Sequence, residues 1–259
     1  DTLIPTNRGT VQIKDINPGL TQPDTQALVE GWSVLVGGES IPVKAFYYAG
    51  TKPTLKVRTR NGYEIEGSLI HPVMTRGANG ETSTKLPDLN VGDYVCIERR
   101  DGDFVTKEPS LRVPTSVNGS KTYNVPNHMT PDLARLLGYI VAEGWVNTDR
   151  GFSVSQYGAL NPEVNADIVD LAKSQLSYTL DGSDNDKCVS STFLRTYLEW
   201  MGVDYTLSAD KCIPPVVMQS TRESVVQFIR AYVDAEGSVD ESGLEVSSAS
   251  ERLLRELQV

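Results

Sequence analysis

The chain has 259 residues, of which 39% are hydrophobic and 22% are charged, and its net charge is -10. This composition is typical of a soluble globular protein with one or two domains. No apolar run reaches the roughly 18 residues that a membrane-spanning helix needs. The start of the chain lacks the basic and apolar regions of a signal peptide. These features argue against a membrane or secreted protein.

Cysteine usage supports the same conclusion about location. The three cysteines are far apart in the chain and form no Cys-x-x-Cys pair. This spacing argues against a structural zinc site and against a disulfide framework. We therefore expect a reducing, cytoplasmic compartment.

The negative charge is distributed unevenly. Acidic and basic residues balance in residues 1–125, so the whole excess of -10 lies in residues 126–259. A DNA-binding surface is usually basic, because neutralisation of phosphates supplies much of the affinity. The acidity of the second half therefore counts against DNA binding. A high-salt cytoplasm would screen the long-range repulsion.

Residues 1–105 predict an all-β domain. Short stretches rich in Val, Ile, Thr and Tyr are separated by Gly and Pro residues, as in proteins built from short strands. The clearest local signal is Asn61-Gly62, which separates the strand-like residues 54–59 and 63–66. Two strands joined by Asn-Gly indicate a hairpin, since both residues tolerate a positive φ.

Residues 130–259 predict an α+β domain, and residues 106–129, rich in polar residues, Pro and Gly, predict a linker before it. Thr130 supplies an N-cap and Pro131 the first helical residue, so a helix should begin there. The helix should end at Glu143, where the following glycine provides a C-cap.

The second domain contains an internal repeat. The order of elements predicted for residues 130–201 begins again at residues 221–259, with a period of about 90 residues, and the second copy is cut short. Each copy opens with a helix that ends in Ala-Glu-Gly, which places Glu143 and Glu236 at equivalent positions.

Each of these two helices also carries small residues four positions apart, on one face: Gly138 with Ala142, and Ala231 with Ala235. Small residues at that spacing let two helices approach closely and pack together. If the helices pack in this way, Glu143 and Glu236 meet at the end of the same interface.

Two carboxylates in the last turns of two helices are electrostatically unfavourable, because that end of each helix dipole is negative. A divalent cation such as Mg²⁺ would relieve the repulsion, with Glu143 and Glu236 as its ligands. Such an ion activates water and stabilises the leaving oxygen in phosphodiester hydrolysis. The simpler interpretation, two solvated helix ends, fits one helix better than it fits a repeated pattern.

Residues 136–144 and 229–237 resemble the LAGLIDADG motif of homing endonucleases. The resemblance implies pseudo-two-fold αββαββα repeats, a double-stranded DNA partner, and metal binding by Glu143 and Glu236, although Glu replaces the commoner Asp. Residues 211–214 are similar to the family's Lys-x-Ile-Pro block, which implies an assisting role for Lys211. The alternative for Lys211 is an ordinary solvated loop lysine.

The first domain resembles the N-terminal part of a Hint-type splicing domain, as found in inteins. Residues 1–13 are similar to the segment after the splicing nucleophile, residues 68–73 to the Thr-x-x-His block, and residues 89–95 to the next block. The resemblance implies that His71 protonates the leaving nitrogen of an acyl shift and that Ser68 binds the scissile peptide. An imidazole that titrates near neutrality suits this transfer. Alternatively, His71 merely ends a strand.

Two features depart from a complete intein: the chain does not begin with a Cys or Ser nucleophile and does not end with Asn. We therefore expect an intein that is incomplete at both termini, with host exteins and, for a split protein, a complementary C-terminal fragment as partners. The leading hypothesis combines splicing with Mg²⁺-dependent DNA cleavage. The alternatives are a splicing-only intein with a degenerate nuclease, and a β domain fused to a non-catalytic αβ binding module.

Overall fold

The computed structural model forms two compact units, Asp1–Asn7 with Gln12–Asp103, and Arg8–Val11 with Phe104–Val259. No helix among the residues it describes is long and apolar enough to cross a membrane. The residues that it describes are 2–78, 80–97, 104–115, 121–147, 151–154, 161–183, 186–205, 207–241 and 243–258.

The first unit is β-rich, as the sequence predicts. Its strands are short and antiparallel, and they pair as β1-β4-β5, β3-β6, β7-β8 and β9-β10. The strands are β1 (Leu3–Thr6), β2 (Gly9–Gln12, mostly within the second unit), β3 (Thr25–Leu28), β4 (Ser33–Val36), β5 (Glu39–Pro42), β6 (Ala45–Tyr48), β7 (Thr54–Arg58), β8 (Glu64–Ser68), β9 (Pro72–Gly77) and β10 (Gly80–Lys85).

The hairpin predicted at Asn61-Gly62 is present. Gly62 has a φ of +85°, a left-handed conformation that costs glycine little. The amide of Thr59 donates to the carbonyl of Tyr63 at 2.8 Å and continues the ladder into the turn. The register of β7 and β8 pairs Thr54 with Ser68.

The second unit begins with the αββαββα order that the resemblance implies, followed by a short helix, a second long helix, a second hairpin and a last helix. Strands β11 to β14 form one sheet in the order β11-β12-β14-β13, and β15 pairs with β16. The elements are α1 (Pro131–Glu143), β11 (Gly144–Asn147), β12 (Gly151–Val154), α2 (Pro162–Leu176), β13 (Asp181–Ser183), β14 (Asp186–Val189), α3 (Thr192–Trp200), α4 (Pro215–Met218), α5 (Arg222–Glu236), β15 (Gly237–Asp240), β16 (Gly243–Val246) and α6 (Glu251–Leu257).

Helices α1 and α5 begin in different ways. Thr130 caps α1 as the sequence predicts, and its Oγ1 accepts a hydrogen bond from the amide of Leu133 at 3.0 Å. The side chain of Thr221 does not cap α5. Instead, the carboxylate of Glu108 accepts hydrogen bonds from the Thr221 amide at 3.3 Å and from the hydroxyls of Thr221 and Ser224. A distant carboxylate therefore accepts from one of the unpaired amides at the start of α5 and complements the helix dipole.

Residues 106–129, which the sequence predicts as a linker, contribute to the core of the second unit. Leu111 and Met129 are buried within it, and a β-bridge joins Ser110 to His128. The described part of this segment therefore packs as structure of the second unit. The polar residues and prolines of this segment predict a linker, although two of its apolar residues, Leu111 and Met129, are buried.

Helices α1 and α5 pack against each other at Gly138. A Cβ atom on Gly138 would lie 2.4 Å from the carbonyl oxygen of Phe228 and 2.8 Å from the Cβ of Ala231. Contacts this short leave room only for glycine. The predicted close approach of the two helices is therefore present, and Gly138 is the residue that permits it.

The two hairpins that follow these helices have the same register. Gly144 opposes Val154 in the first hairpin, and Gly237 opposes Val246 in the second. The next apolar pair is buried in the first hairpin but exposed in the second: Val146 at 4% and Phe152 at 1%, against Val239 at 77% and Leu244 at 57%. The repeat is therefore visible in the fold, and its second copy has an uncovered apolar face.

The helix contact yields a stability prediction. Gly138→Val should lower the free energy of unfolding of the second unit by about 3 kcal/mol, because the new side chain meets backbone rather than a flexible neighbour. Ala166→Val, at an exposed position of α2, is the control and should cost about 0.5 kcal/mol. Urea denaturation followed by circular dichroism measures both. Equal losses for the two variants would contradict a tight contact at Gly138.

Candidate functional site

The last residues of α1 and α5 face a common cavity of about 450 Å³. Both helices end at a glutamate, Glu143 and Glu236. The structure therefore brings together the two carboxylates that the internal repeat predicts and Lys211, the third candidate residue of this domain. The cavity is lined by Ala142, Glu143, Gly144, Trp145, Ser208, Lys211 and Glu236.

Lys211 is a buried residue, with 7% of its surface exposed. Its Nζ donates a hydrogen bond to the carbonyl oxygen of Ala142, at the C-terminal end of α1. A cation at this end of a helix is favourable, because the unsatisfied carbonyls carry partial negative charge. The alternative of a solvated loop lysine does not fit this burial.

Helix α6 holds the Lys211 segment in place. The hydroxyl of Ser250, which also caps α6, donates to the carbonyl of Lys211 at 2.6 Å. The amide of Ile213 donates to the buried carboxylate of Glu256 at 2.7 Å, which pairs in turn with Arg252. Neither contact was predicted from the sequence. A serine at this position can identify the start of a helix, but it does not identify the carbonyl to which its hydroxyl donates.

The charges in the cavity perturb one another. Burial raises the pKa of Glu143, the charge of Glu236 raises it further, and the nearby ammonium of Lys211 opposes both. Burial also lowers the pKa of Lys211, and the two carboxylates oppose that shift. Two acids and one base in a partly desolvated cavity leave an excess of negative charge, which favours a bound cation.

The ligand chemistry fits Mg²⁺ with part of its coordination shell left for other groups. Among the described residues, no group of three or more His, Cys, Asp and Glu side chains is placed to hold a metal ion. Glu143 and Glu236 supply two carboxylates. Mg²⁺ is commonly held by one or two carboxylates together with waters and substrate phosphates. The two carboxylates therefore suit a Mg²⁺ ion that is bound partly by the protein and partly by a phosphate group of the ligand.

Ser68 and His71 lie in one tight turn of the first unit. The amide of His71 donates to the carbonyl of Ser68 at 2.8 Å. The His71 ring packs over Gly67, since a Cβ there would lie 2.8 Å from the ring Cγ. His71 is exposed and Ser68 is partly buried. The structure thus places these two predicted residues together, at the junction of β8 and β9.

Comparison with known proteins identifies a LAGLIDADG-like domain at residues 223–259. The match contains nearly all of α5, including Glu236, together with β15, β16 and α6. Proteins with this domain are usually nucleases, and their endonucleases typically use divalent metals. The match therefore supports the homing-endonuclease interpretation of the second unit.

Similar curated proteins carry several different names. The chain is 25% identical to an A-type ATP synthase subunit of Pyrococcus abyssi, over 97% of this chain and 26% of the relative. It is 23% identical to RNA polymerase subunit Rpo1C of Methanocaldococcus jannaschii, over 77% of this chain and 25% of that protein. It is also 23% identical to the replication factor C small subunit of the same organism, over 83% of this chain and 11% of that protein. The chain thus spans about a quarter or less of these relatives.

The raised pKa of Glu143 yields a pH-dependent prediction. An acid whose pKa is raised by folding binds its proton more tightly in the folded state. Its contribution to stability therefore declines as pH rises from the ordinary glutamate value through the folded value. Glu143→Gln should unfold at a higher temperature than the parent at neutral pH, and the difference should vanish in acid.

Differential scanning calorimetry across pH checks this expectation. Glu163→Gln removes an exposed carboxylate from the first turn of α2 and should not reproduce the effect. A Glu143→Gln variant that is less stable than the parent at neutral pH would contradict the assignment of Glu143 to a repulsive, partly buried site.

Proposed function

We propose that the second unit binds double-stranded DNA and cleaves it with Mg²⁺, as a homing endonuclease. The observation that carries this proposal is the convergence of Glu143, Glu236 and the buried Lys211 at one cavity. An acidic pair at two adjoining helix ends is a liability for stability, so its presence at equivalent positions of a repeat favours a functional role.

In this proposal Glu143 and Glu236 hold the cation. When bound, the ion polarises a phosphoryl oxygen and activates water. The ammonium of Lys211, fixed by the Ala142 carbonyl, offsets part of the negative charge when a phosphate approaches. The tight α1–α5 contact keeps the two carboxylates together, which favours ion binding without reorganisation.

Substitution of either glutamate tests the nuclease. Glu143→Gln or Glu236→Gln should lower Mg²⁺-dependent cleavage by at least about 100-fold, the scale on which loss of one charge-stabilising group acts at a reacting centre. Glu245→Gln, at an exposed position of β16, is the charge-matched control and should cleave normally. The substrate is a site selected from a randomised plasmid library with the parent protein. Unchanged nicking by Glu143→Gln would refute its role.

We further propose that the first unit is part of a Hint-type splicing domain, and that the whole chain belongs to an intein. The relatives support this proposal: similar segments of about this length occur within an ATP synthase subunit, an RNA polymerase subunit and a replication factor C subunit, and in each case cover a minor share of the protein. A segment shared by proteins with unrelated names is expected of an inserted element with its own activity.

The exposed apolar surface of the first unit favours the presence of a further β-rich segment that covers it, such as a complementary C-terminal intein fragment. Among its described residues, the buried apolar side chains are few: Ile16, Val29, Val73 and Leu86. Many large ones are exposed: Ile13, Leu28, Val36, Ile41, Tyr47, Leu69, Ile70, Met74, Val91, Tyr94 and Ile97. Two-stranded hairpins are marginally stable unless an apolar face is covered. We therefore infer that additional strands of the splicing domain cover this surface.

In this splicing unit the imidazole of His71 would protonate the leaving nitrogen of the scissile peptide during the acyl shift. The hydroxyl of Ser68 would hydrogen-bond that peptide. The turn that joins the two residues keeps both groups at one end of the β7–β8 hairpin. The exposure of the His71 side chain leaves it accessible to a peptide substrate.

Splicing is tested in a full precursor in which flanking host sequences and the remaining intein segments are restored. His71→Ala should leave unspliced precursor, with a splicing rate at least about 100-fold lower, the scale of general acid catalysis. His128→Ala removes the other histidine and should splice normally, as should Glu143→Gln. Gel electrophoresis of the spliced product measures all three. Normal splicing by His71→Ala would contradict its role.

The alternative is a splicing-only intein whose nuclease is degenerate, and the acidity of residues 126–259 favours it. Metal-dependent DNA binding, measured across ionic strength, separates the two hypotheses. A functional nuclease should bind duplex DNA as rising salt screens the long-range repulsion. Absence of binding under all conditions would favour degeneracy, and loss of splicing as well would favour a non-catalytic binding module.

A further inference from the structure

The residue that follows the motif glycine differs between the two repeats. The shared register pairs Trp145 with Ser153 in the first hairpin and Ser238 with Glu245 in the second. Trp145 and Ser238 therefore occupy equivalent positions. Since the second hairpin forms the same pairs with a serine there, the hairpin does not depend on an aromatic residue at this position.

Trp145 lies beside the carboxylates. Trp145 lines the same cavity as Glu143, Lys211 and Glu236, and 37% of its surface is exposed. Ser153, opposite it in the sheet, is largely buried at 9%. Trp145 is thus partly accessible beside the charged residues of the cavity.

The other exposed tryptophan of this unit has a different environment. Trp200 is 39% exposed, and the guanidinium of Arg112 stacks on its ring at 3.7 Å from the centroid. This cation–π contact with another residue of the same chain gives the indole of Trp200 a structural role. Trp200 therefore provides a control with nearly the same exposure that is not among the residues lining the cavity.

We propose that Trp145 contacts the nucleotide beside the phosphate that the carboxylates receive, and thereby determines which phosphate enters the cavity. The proposal rests on the nuclease function proposed above. In a duplex the bases remain stacked on one another, so an aromatic ring contacts a deoxyribose or the edge of a base and gains affinity by burying apolar surface, without requiring a basic surface. This property suits an acidic unit, in which little affinity can come from counterion release.

Because the equivalent residue is Ser238, the contact is made in one repeat only. The two strands of a duplex across the pseudo-two-fold axis are then held unequally. Trp145 is thus a specificity residue that positions the substrate, and it takes no part in proton transfer or ion binding.

Tryptophan fluorescence during DNA binding tests the contact. The protein is titrated with a mixed-sequence duplex three helical turns long, with Ca²⁺ in place of Mg²⁺ to prevent cleavage. We expect binding to quench the indole emission and to reduce its accessibility to acrylamide. Trp145→Phe should lose this change, whereas Trp200→Phe should retain it. Trp145→Ser, which introduces the residue of the second repeat, should weaken binding by about tenfold, because less apolar surface is buried.

Circular dichroism confirms that each variant is folded before titration. The contact is overturned if folded Trp145→Phe retains the full quench, or if folded Trp145→Ser binds DNA as tightly as the parent. A parent protein that binds no duplex overturns the nuclease proposal, and this inference with it. Binding without a contribution from Trp145 overturns the inference alone, so the two failures are distinguishable.

Discussion

The close approach of α1 and α5 is the constraint on which the site depends. At Gly138 the backbone of Phe228 occupies the space that any side chain would need. This contact brings the two helices together along faces of small residues, so that their C-terminal ends open on the same cavity. Without it, the ends of the two helices would lie apart, and the charge of Glu236 would not raise the pKa of Glu143.

The convergence is electrostatically costly, and the surrounding structure limits the cost. Two helix C-termini and two carboxylates meet where burial already raises the pKa of Glu143. Lys211 supplies one compensating cation, and α6 fixes its backbone through Ser250 and Glu256. At the far end of α5, the carboxylate of Glu108 accepts a hydrogen bond from the amide of Thr221. The apolar core beneath the pair provides the stability that this polar site lacks.

Much of this arrangement could be predicted from the sequence, because its signals are local or repeated. Thr130 and Pro131 identify the start of α1, and Asn61-Gly62 identifies a hairpin, since each requires only neighbouring residues. The pairing of Glu143 with Glu236 follows from repetition of one pattern on two helices. Glycine and alanine at matching helical spacing then predict which faces meet.

The remaining features depend on contacts between distant parts of the chain, and no local pattern reports them. Glu108 lies in a segment whose composition resembles a linker, and its partners lie more than a hundred residues away. Glu256 lies in a helix with an ordinary amphipathic sequence, and only the structure shows that its carboxylate accepts a hydrogen bond from the amide of Ile213. The equivalence of Trp145 and Ser238 becomes visible only when the registers of both hairpins are known.

The central claim is that Glu143 and Glu236 share one cation. Crystals of the protein bound to its selected DNA site, grown with Mn²⁺ in place of Mg²⁺, test it by anomalous diffraction. We expect an anomalous peak between the two helix ends, in contact with carboxylate oxygens of both residues and with a phosphate oxygen. Mn²⁺ bound elsewhere, with these two carboxylates directed to separate surfaces, would contradict the account.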